Sequence, residues 1–251
     1  MKLKRLAACA LTAWMAVTGT THAADVQMAV GRSLPPYVII NEWRGLEYDI
    51  VREALAAEGH TLVPHFTTFA RVMREMATGL ADAAMTMRAD SGINACYSDS
   101  HITYRNYAIT LASQNLNIQS VQDLAKYSVV GFQNATTFLG LDFRTMAALN
   151  PQYREEAQQF LQPVALFSER VDVVVADRNI FAWYAAQPEV KARVPITAAV
   201  RFHPIFPPTD YQVAFRDPQI CADFNRGLKK IRQNGLYDKI MSRYKGFLNE
   251  E

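Results

Sequence analysis

Three features of the sequence predict an α/β fold in two lobes, joined by two crossings with a cleft between them. Short apolar runs of strand length alternate with amphipathic segments at helical spacing, the pattern of a parallel-rich sheet flanked by helices. Two connectors, residues 88–107 and the proline-rich 203–209, bracket a middle block that is itself a β-α-β series. Two units also echo each other: a helix, then Asp82 or Asp172, then an apolar strand.

The first 23 residues stand apart from this pattern. Lys2, Lys4 and Arg5 precede an apolar run over 6–17, and Thr21-His22-Ala23 ends on a small residue. That is the layout of a cleaved secretory leader, too short and wrongly flanked for a membrane span. Cys9 lies before the apolar run and is read as part of the leader, not as a lipid anchor. Residues 26–30 then form a strand, 31–37 a loop with paired prolines, and 38–40 a second apolar run ending in a turn at 41–45. Residues 49–58 place Ile50, Val51, Ala54 and Leu55 on one helical face and close at Gly59. A strand at 61–66, a helix at 69–78 ended by Gly79, and a strand at 82–87 complete the first series. Beyond the first connector, Ser120 and Asp123 have capping-box spacing for a short helix. The middle block reads as a strand from 128, helices over 138–149 and 163–169, a strand over 171–177, a helix over 179–186 and a strand over 194–200. After the second connector come a strand at 211–215 and a helix opened by Asp217-Pro218 and running to Gly235; a helix over 236–244 closes the chain.

Removing the three basic residues of the leader turns the formal net charge from +2 to −1. Neither nucleic acid nor an anionic membrane is therefore an expected partner. No later apolar run reaches spanning length, so the mature chain is expected to be soluble. The histidines are scattered and no His/Cys group has ligand spacing, so no metal is expected. Cys96 and Cys221 remain after export, as either a disulfide, which an oxidising compartment favours, or two buried thiols.

The stretch Ser128-Val-Val-Gly-Phe-Gln-Asn-Ala-Thr-Thr-Phe-Leu139 runs from a buried strand into cap-type residues. Such a junction aims unpaired backbone N–H groups and the positive end of a helix dipole beyond the strand, an anion seat rimmed by Thr136 and Thr137. Asp177 ends the 171–177 strand, on the side where open α/β sheets bind ligands. It is also placed to cap the helix that begins near Asn179.

Several motifs follow in order: Pro35-Pro-Tyr37, Gly45-Leu-Glu-Tyr-Asp-Ile-Val-Arg-Glu-Ala-Leu55, Gly79-Leu-Ala-Asp-Ala-Ala-Met-Thr86, Tyr97-Ser-Asp99, Val171-Asp-Val-Val-Val-Ala-Asp177 and Asn234-Gly-Leu-Tyr-Asp-Lys-Ile240. Together they resemble the family 3 extracellular solute-binding proteins, the polar amino acid type that feeds ABC importers. The resemblance implies a type II periplasmic binding protein fold with two hinge crossings, each lobe a mixed sheet flanked by helices. Residues 24–106 and 207–251 would form lobe 1 and residues 107–206 lobe 2. It implies a periplasmic monomer without cofactor, closing on a small polar ligand, amino-acid-like or organic anion, and delivering it to an inner-membrane permease. Tyr37 and Phe69 match the aromatics that flank the ligand, although Phe69 at a helix start also suits a core. Thr86 matches a hydroxyl that bonds the ligand, Gln133, Thr136 and Thr137 the segment that receives its carboxylate, and Asp177 the acceptor of its ammonium.

The sequence departs from the family pattern at Ser91, where an arginine forks the ligand's carboxylate. A hydroxyl does not replace a bidentate guanidinium, and Arg88 lies three residues earlier. Ala135 stands where the anion loop has a glycine. The alternative on the same scaffold is an enzyme, a periplasmic cyclohexadienyl dehydratase, which needs a general acid in the cleft. Glu47, Asp177 and Glu42 are the candidates, and no nucleophile–base pair or cofactor fingerprint accompanies them.

Overall fold

A computed structural model describes residues 23–31 and 34–244, the side chain of Phe69 excepted. Residues 1–22 of the expected leader lie outside the described residues. The first series runs β1 (Asp25–Gly31), α1 (Leu46–Ala56), β2 (Thr61–Thr67), α2 (Phe69–Thr78), β3 (Ala83–Met87), β4 (Cys96–Tyr97) and β5 (Ile102–Tyr104). The middle series is β6 (Asn106–Leu111), β7 (Val129–Phe132), α3 (Ala135–Phe138), α4 (Gly140–Leu149), β8 (Tyr153–Glu156), α5 (Leu161–Phe167), β9 (Val173–Asp177), α6 (Arg178–Ala186), α7 (Pro188–Lys191) and β10 (Val200–His203). The chain then returns through β11 (Thr209–Phe215), α8 (Pro218–Gln233) and α9 (Leu236–Arg243).

These strands make two open mixed sheets. The first has the order β2-β1-β3-β11-β4, with β5 also paired to β11; the second has the order β10-β6-β9-β7-β8. Strand alternation divides β1 between two cores: Val26, Met28 and Val30 face one way and Ala29 the other. The helices α1 and α8 cover the first face, and Val72 and Met76 of α2 the second. At the crossing of α1 and α8, a Cβ added to Gly227 would sit 1.9 Å from the Ala54 carbonyl oxygen, so only glycine lets the helices approach. In the second sheet, Val173 and Val175 pack beneath Phe143 and Met146 of α4, while Val174 and Ala176 pack against Leu166 and Phe181 of α5 and α6. Both faces of β9 are buried, which is why its sequence reads as a continuous apolar run.

The two crossings lie side by side. Only Arg105 separates β5 from β6, and 204–208 join β10 to β11, while β5 pairs with β11 and β6 with β10. Residues 88–107, expected as loop and connector, hold β4, β5 and the start of β6. Their two- and three-residue strands are too short for a periodic signal. The helix expected over 138–149 is α4, which begins at Gly140 with φ +87°; Phe138 instead closes the short α3 before it. The strand expected over 194–200 begins only at Val200; Val194 and Ile196 instead pack against Val164 and Val190, beside α5 and α7. The polar edge strand β8, Tyr-Arg-Glu-Glu, escaped notice because neither face of it is a clean apolar row. Cys96 and Cys221 are joined as a disulfide that ties β4 to α8.

Candidate functional site

The carboxyl ends of β1 and β3 and the start of α2 enclose a pocket of about 260 Å³. Leu34, Val38, Thr68, Val72, Met85 and Thr86 line it, mostly with apolar surface. Its geometry follows from a bulge. Along β3, Ala83 and Met85 face the α1 core and Ala84 the α2 core, but Met87 also faces the α2 core. The alternation breaks at Thr86, a β-branched residue held at φ +59°, and the pairing with β11 shifts register there. Nothing in the local sequence demands this conformation; the surroundings impose it.

Behind Thr86 lies a buried polar cluster. Glu47 is 0% exposed and accepts the Thr86 hydroxyl at 3.0 Å from each carboxylate oxygen. The Tyr104 hydroxyl donates to the same carboxylate at 2.7 Å, and His101 Nε2 lies 2.9 Å from it. The start of α1 places Glu47: the Leu46 amide donates to the Pro36 carbonyl, and those of Glu47 and Tyr48 to the Tyr37 carbonyl. Gly45 allows this approach, since a Cβ there would lie 2.2 Å from the Tyr37 oxygen.

Tyr37 itself is 1% exposed, its ring stacked 3.8 Å from that of Tyr104. Its hydroxyl donates to Asp177 at 3.1 Å and accepts from Asn179 Nδ2 at 3.0 Å. Tyr37, expected as an aromatic wall of the site, is packed in the first core and bonded to Asp177 of β9, while Leu34 and Val38 line the pocket. Asp177 caps α6 through the amides of Asn179 and Ile180, and takes the hinge amide of Arg105 at 2.9 Å. Burial pushes its carboxyl up to about 6, against the pull of those amides and of Tyr37. Burial, with the neighbouring carboxylates second, likewise raises the hydroxyls of Tyr37 and Tyr104 well above the usual phenol range.

The remaining residues of interest are dispersed. Arg88 forks onto Asp90, and Ser91 shares a 2.7 Å hydrogen bond with the Tyr97 hydroxyl. Gln133 and Thr137 are exposed and Thr136 is half-buried at the end of β7. The side chain of Phe69 lies outside the described residues. The seat after β7 exists, but Asn134 sits there at φ +63° without a side-chain cap, and the carboxylate of Glu155 fills it. Of the candidate acids, Glu42 is exposed and paired with Arg44, Asp177 is saturated with donors, and Glu47 reaches the pocket only through Thr86. The sequence reading missed His101 and Tyr104 as partners of Glu47, and Glu155 altogether; a glutamate pair in a polar edge strand carries no local signal.

Two helix-flanked mixed sheets, hinged by two adjacent crossings, are the architecture of the type II periplasmic binding proteins. The chain is similar to an ancestral arginine-binding protein bound to arginine, at 19% identity and a TM-score of 0.67, with 90% of this chain and 100% of that one covered. It is also similar to substrate-binding domain 2 of Lactococcus lactis GlnP in its open conformation, at 18% identity and a TM-score of 0.62, covering 89% and 95%. An ancestral amino acid-binding protein, a precursor of cyclohexadienyl dehydratase, matches at 20% identity and a TM-score of 0.65, covering 88% and 95%. A search among curated proteins gave no match. The model of the bacterial extracellular solute-binding proteins, family 3, matches residues 26–247, and the chain belongs to that family.

Proposed function

We propose that the protein is a periplasmic receptor that captures a small polar solute and hands it to an ABC-type importer in the inner membrane. In this reading the leader exports a monomer whose lobes, residues 24–106 with 207–251 and residues 107–206, close on the ligand about the two crossings. The observation that carries it is the pocket at the carboxyl edge of the first sheet, beside a hinge where Tyr37 already reaches Asp177 of the second. Phe69, Thr86 and Arg88 would meet the solute from the first lobe, and Gln133, Thr136 and Thr137 from the second. Tyr37 and Asp177 would close the hinge side. Closure is then selected by contacts made only in the closed state.

Small molecules released by denaturing protein purified from a periplasmic extract, identified by mass spectrometry, test this reading. A released compound should raise the melting temperature of the stripped protein by mass action and be recovered unchanged. Failure of any extract component to bind would end it. One observation favours a second reading, an enzyme on the same scaffold: the Glu47 carboxylate stands directly behind the pocket-lining Thr86 hydroxyl. Conversion of prephenate or arogenate by the pure protein would replace the receptor reading with that one.

A further inference from the structure

A hydroxyl has a single proton to donate and two lone pairs that accept, so the partner behind Thr86 decides what Thr86 can offer in front. That partner is the wholly buried Glu47, 3.0 Å from the hydroxyl through each carboxylate oxygen. Two more groups converge on the same carboxylate: the Tyr104 hydroxyl donates to Oε2 at 2.7 Å, and His101 Nε2 lies 2.9 Å from Oε1. The other ring nitrogen settles the role of His101. Its Nδ1 is buried without a hydrogen-bond partner, and a proton there would be an orphaned donor, which folded proteins tolerate less than an unmet lone pair. The ring proton therefore sits on Nε2 and points at Glu47. Glu47 is thus an acceptor on every side, and the Thr86 proton is committed to it.

In front, Thr86 lines the pocket. At φ +59° its backbone breaks the alternation of β3, and the side chain so placed both reaches Glu47 and forms part of the pocket wall. Leu34, Val38, Val72 and Met85 make the rest of that wall mostly apolar. Thr68, the other hydroxyl there, is exposed at the start of α2 and its side chain caps no amide, so it can take either role. Beyond β3, Arg88 is forked onto Asp90 and Ser91 is bonded to Tyr97. Discrimination between donor and acceptor groups in the pocket falls to Thr86.

We infer that Glu47 is a positioning residue that fixes the polarity of the pocket: by taking the Thr86 proton it leaves Thr86 an acceptor, and the site selects a solute with an N–H or O–H donor on a small apolar body. The inference rests on the receptor reading and narrows its substrate class. A solute that brings only an acceptor to this point meets the lone pairs of Thr86 and is disfavoured.

Calorimetric titration with isovaleramide and with methyl isobutyl ketone tests the preference. The two share shape and carbonyl and differ in an NH2 group against a methyl, so only the amide brings a donor. Isovaleramide should bind the wild type about tenfold more tightly than the ketone. Glu47→Gln keeps the size and puts an N–H donor among the partners of Thr86, and Thr86→Val keeps the branched shape and removes the hydroxyl. Each should bring the two probes to about equal affinity. Equal or tighter binding of the ketone by the wild type overturns the inference, as does a preference that survives either substitution, or failure of both probes to bind. If Glu47→Gln does not fold, Thr86→Val carries this arm alone. A second measurement needs no solute: nitrogen NMR of the His101 ring. It should show the proton on Nε2 in the wild type; a proton on Nδ1 overturns the inference. If no compound binds in the extract experiment, the receptor reading fails by itself, and the ring tautomer still decides whether Glu47 is the acceptor behind Thr86.

Discussion

At the scale of single residues, desolvation and hydrogen bonding pull the Asp177 carboxyl in opposite directions. Desolvation wins, leaving it at about 6 in the folded protein, against about 4 in an unfolded chain. Between about pH 4 and pH 6 the native state therefore holds a proton that the unfolded chain has lost. Stability contributed by this group must fall as pH rises through that window, by about 3 kcal/mol at most. Denaturant unfolding of wild type and Asp177→Asn across pH 4 to 7 measures it. The difference between the two should slope downward with pH in that range and be flat above it; a flat difference throughout would mean that Asp177 is not the titrating group. Tyr104 invites a second test. Tyr104→Phe keeps the stack on Tyr37 but removes the shortest donor to a wholly buried glutamate. The cost should be about 1–3 kcal/mol, read as a lower denaturant midpoint with an unchanged slope.

Between elements, α1 and α8 cross in close contact at Ala54 and Gly227. Gly227→Ala drives a methyl into the Ala54 carbonyl oxygen, and neither helix can yield without disturbing the core beneath, which includes Leu55, Phe224 and Leu228. Overpacking of this kind should cost about 1–3 kcal/mol or more, visible as a drop in melting temperature. The disulfide closes a loop over a sequence separation of 125 and fastens the short strand β4 to α8. Cys96→Ser with Cys221→Ser should lower stability by about 2–5 kcal/mol. Solute affinity should be nearly unchanged, because neither cysteine is among the residues that line the pocket.

For the molecule as a whole, the Tyr37–Asp177 contact is a polar bridge from the loop after β1 to the carboxyl end of β9, the central strand of the second sheet. Tyr37→Phe removes that bridge and leaves a buried carboxylate with fewer donors. The population should shift toward separated lobes. Small-angle scattering of the ligand-free protein should then give a larger radius of gyration than wild type, and a saturating ligand should reverse the increase. An identical radius in the two proteins would mean that the contact does not hold the hinge. Glu47 and Tyr104 extend the chain of contacts back to Thr86 at the pocket wall, so the pocket and the hinge share one buried network.

Where one residue's neighbours in sequence are also its neighbours in physical effect, the sequence was enough. The strand at 26–30, the valine-rich strand that ends at Asp177, the Asp217-Pro218 helix start and the Ser120–Asp123 capping box are local patterns, and each appears in the structure where it was expected. The family motifs spread along the chain made the fold legible as well. What the sequence left open depends on groups far apart along the chain. Glu47 meets Thr86 across 39 positions, Tyr37 meets Asp177 across 140, and Glu155 reaches the Asn134 amide from 21 positions away. A strand-to-helix junction has the same sequence whether its amides await a ligand or hold a glutamate. Only the packing of β8 beside β7 puts a carboxylate there, because side-chain charges act through distance in space and not through position in the chain.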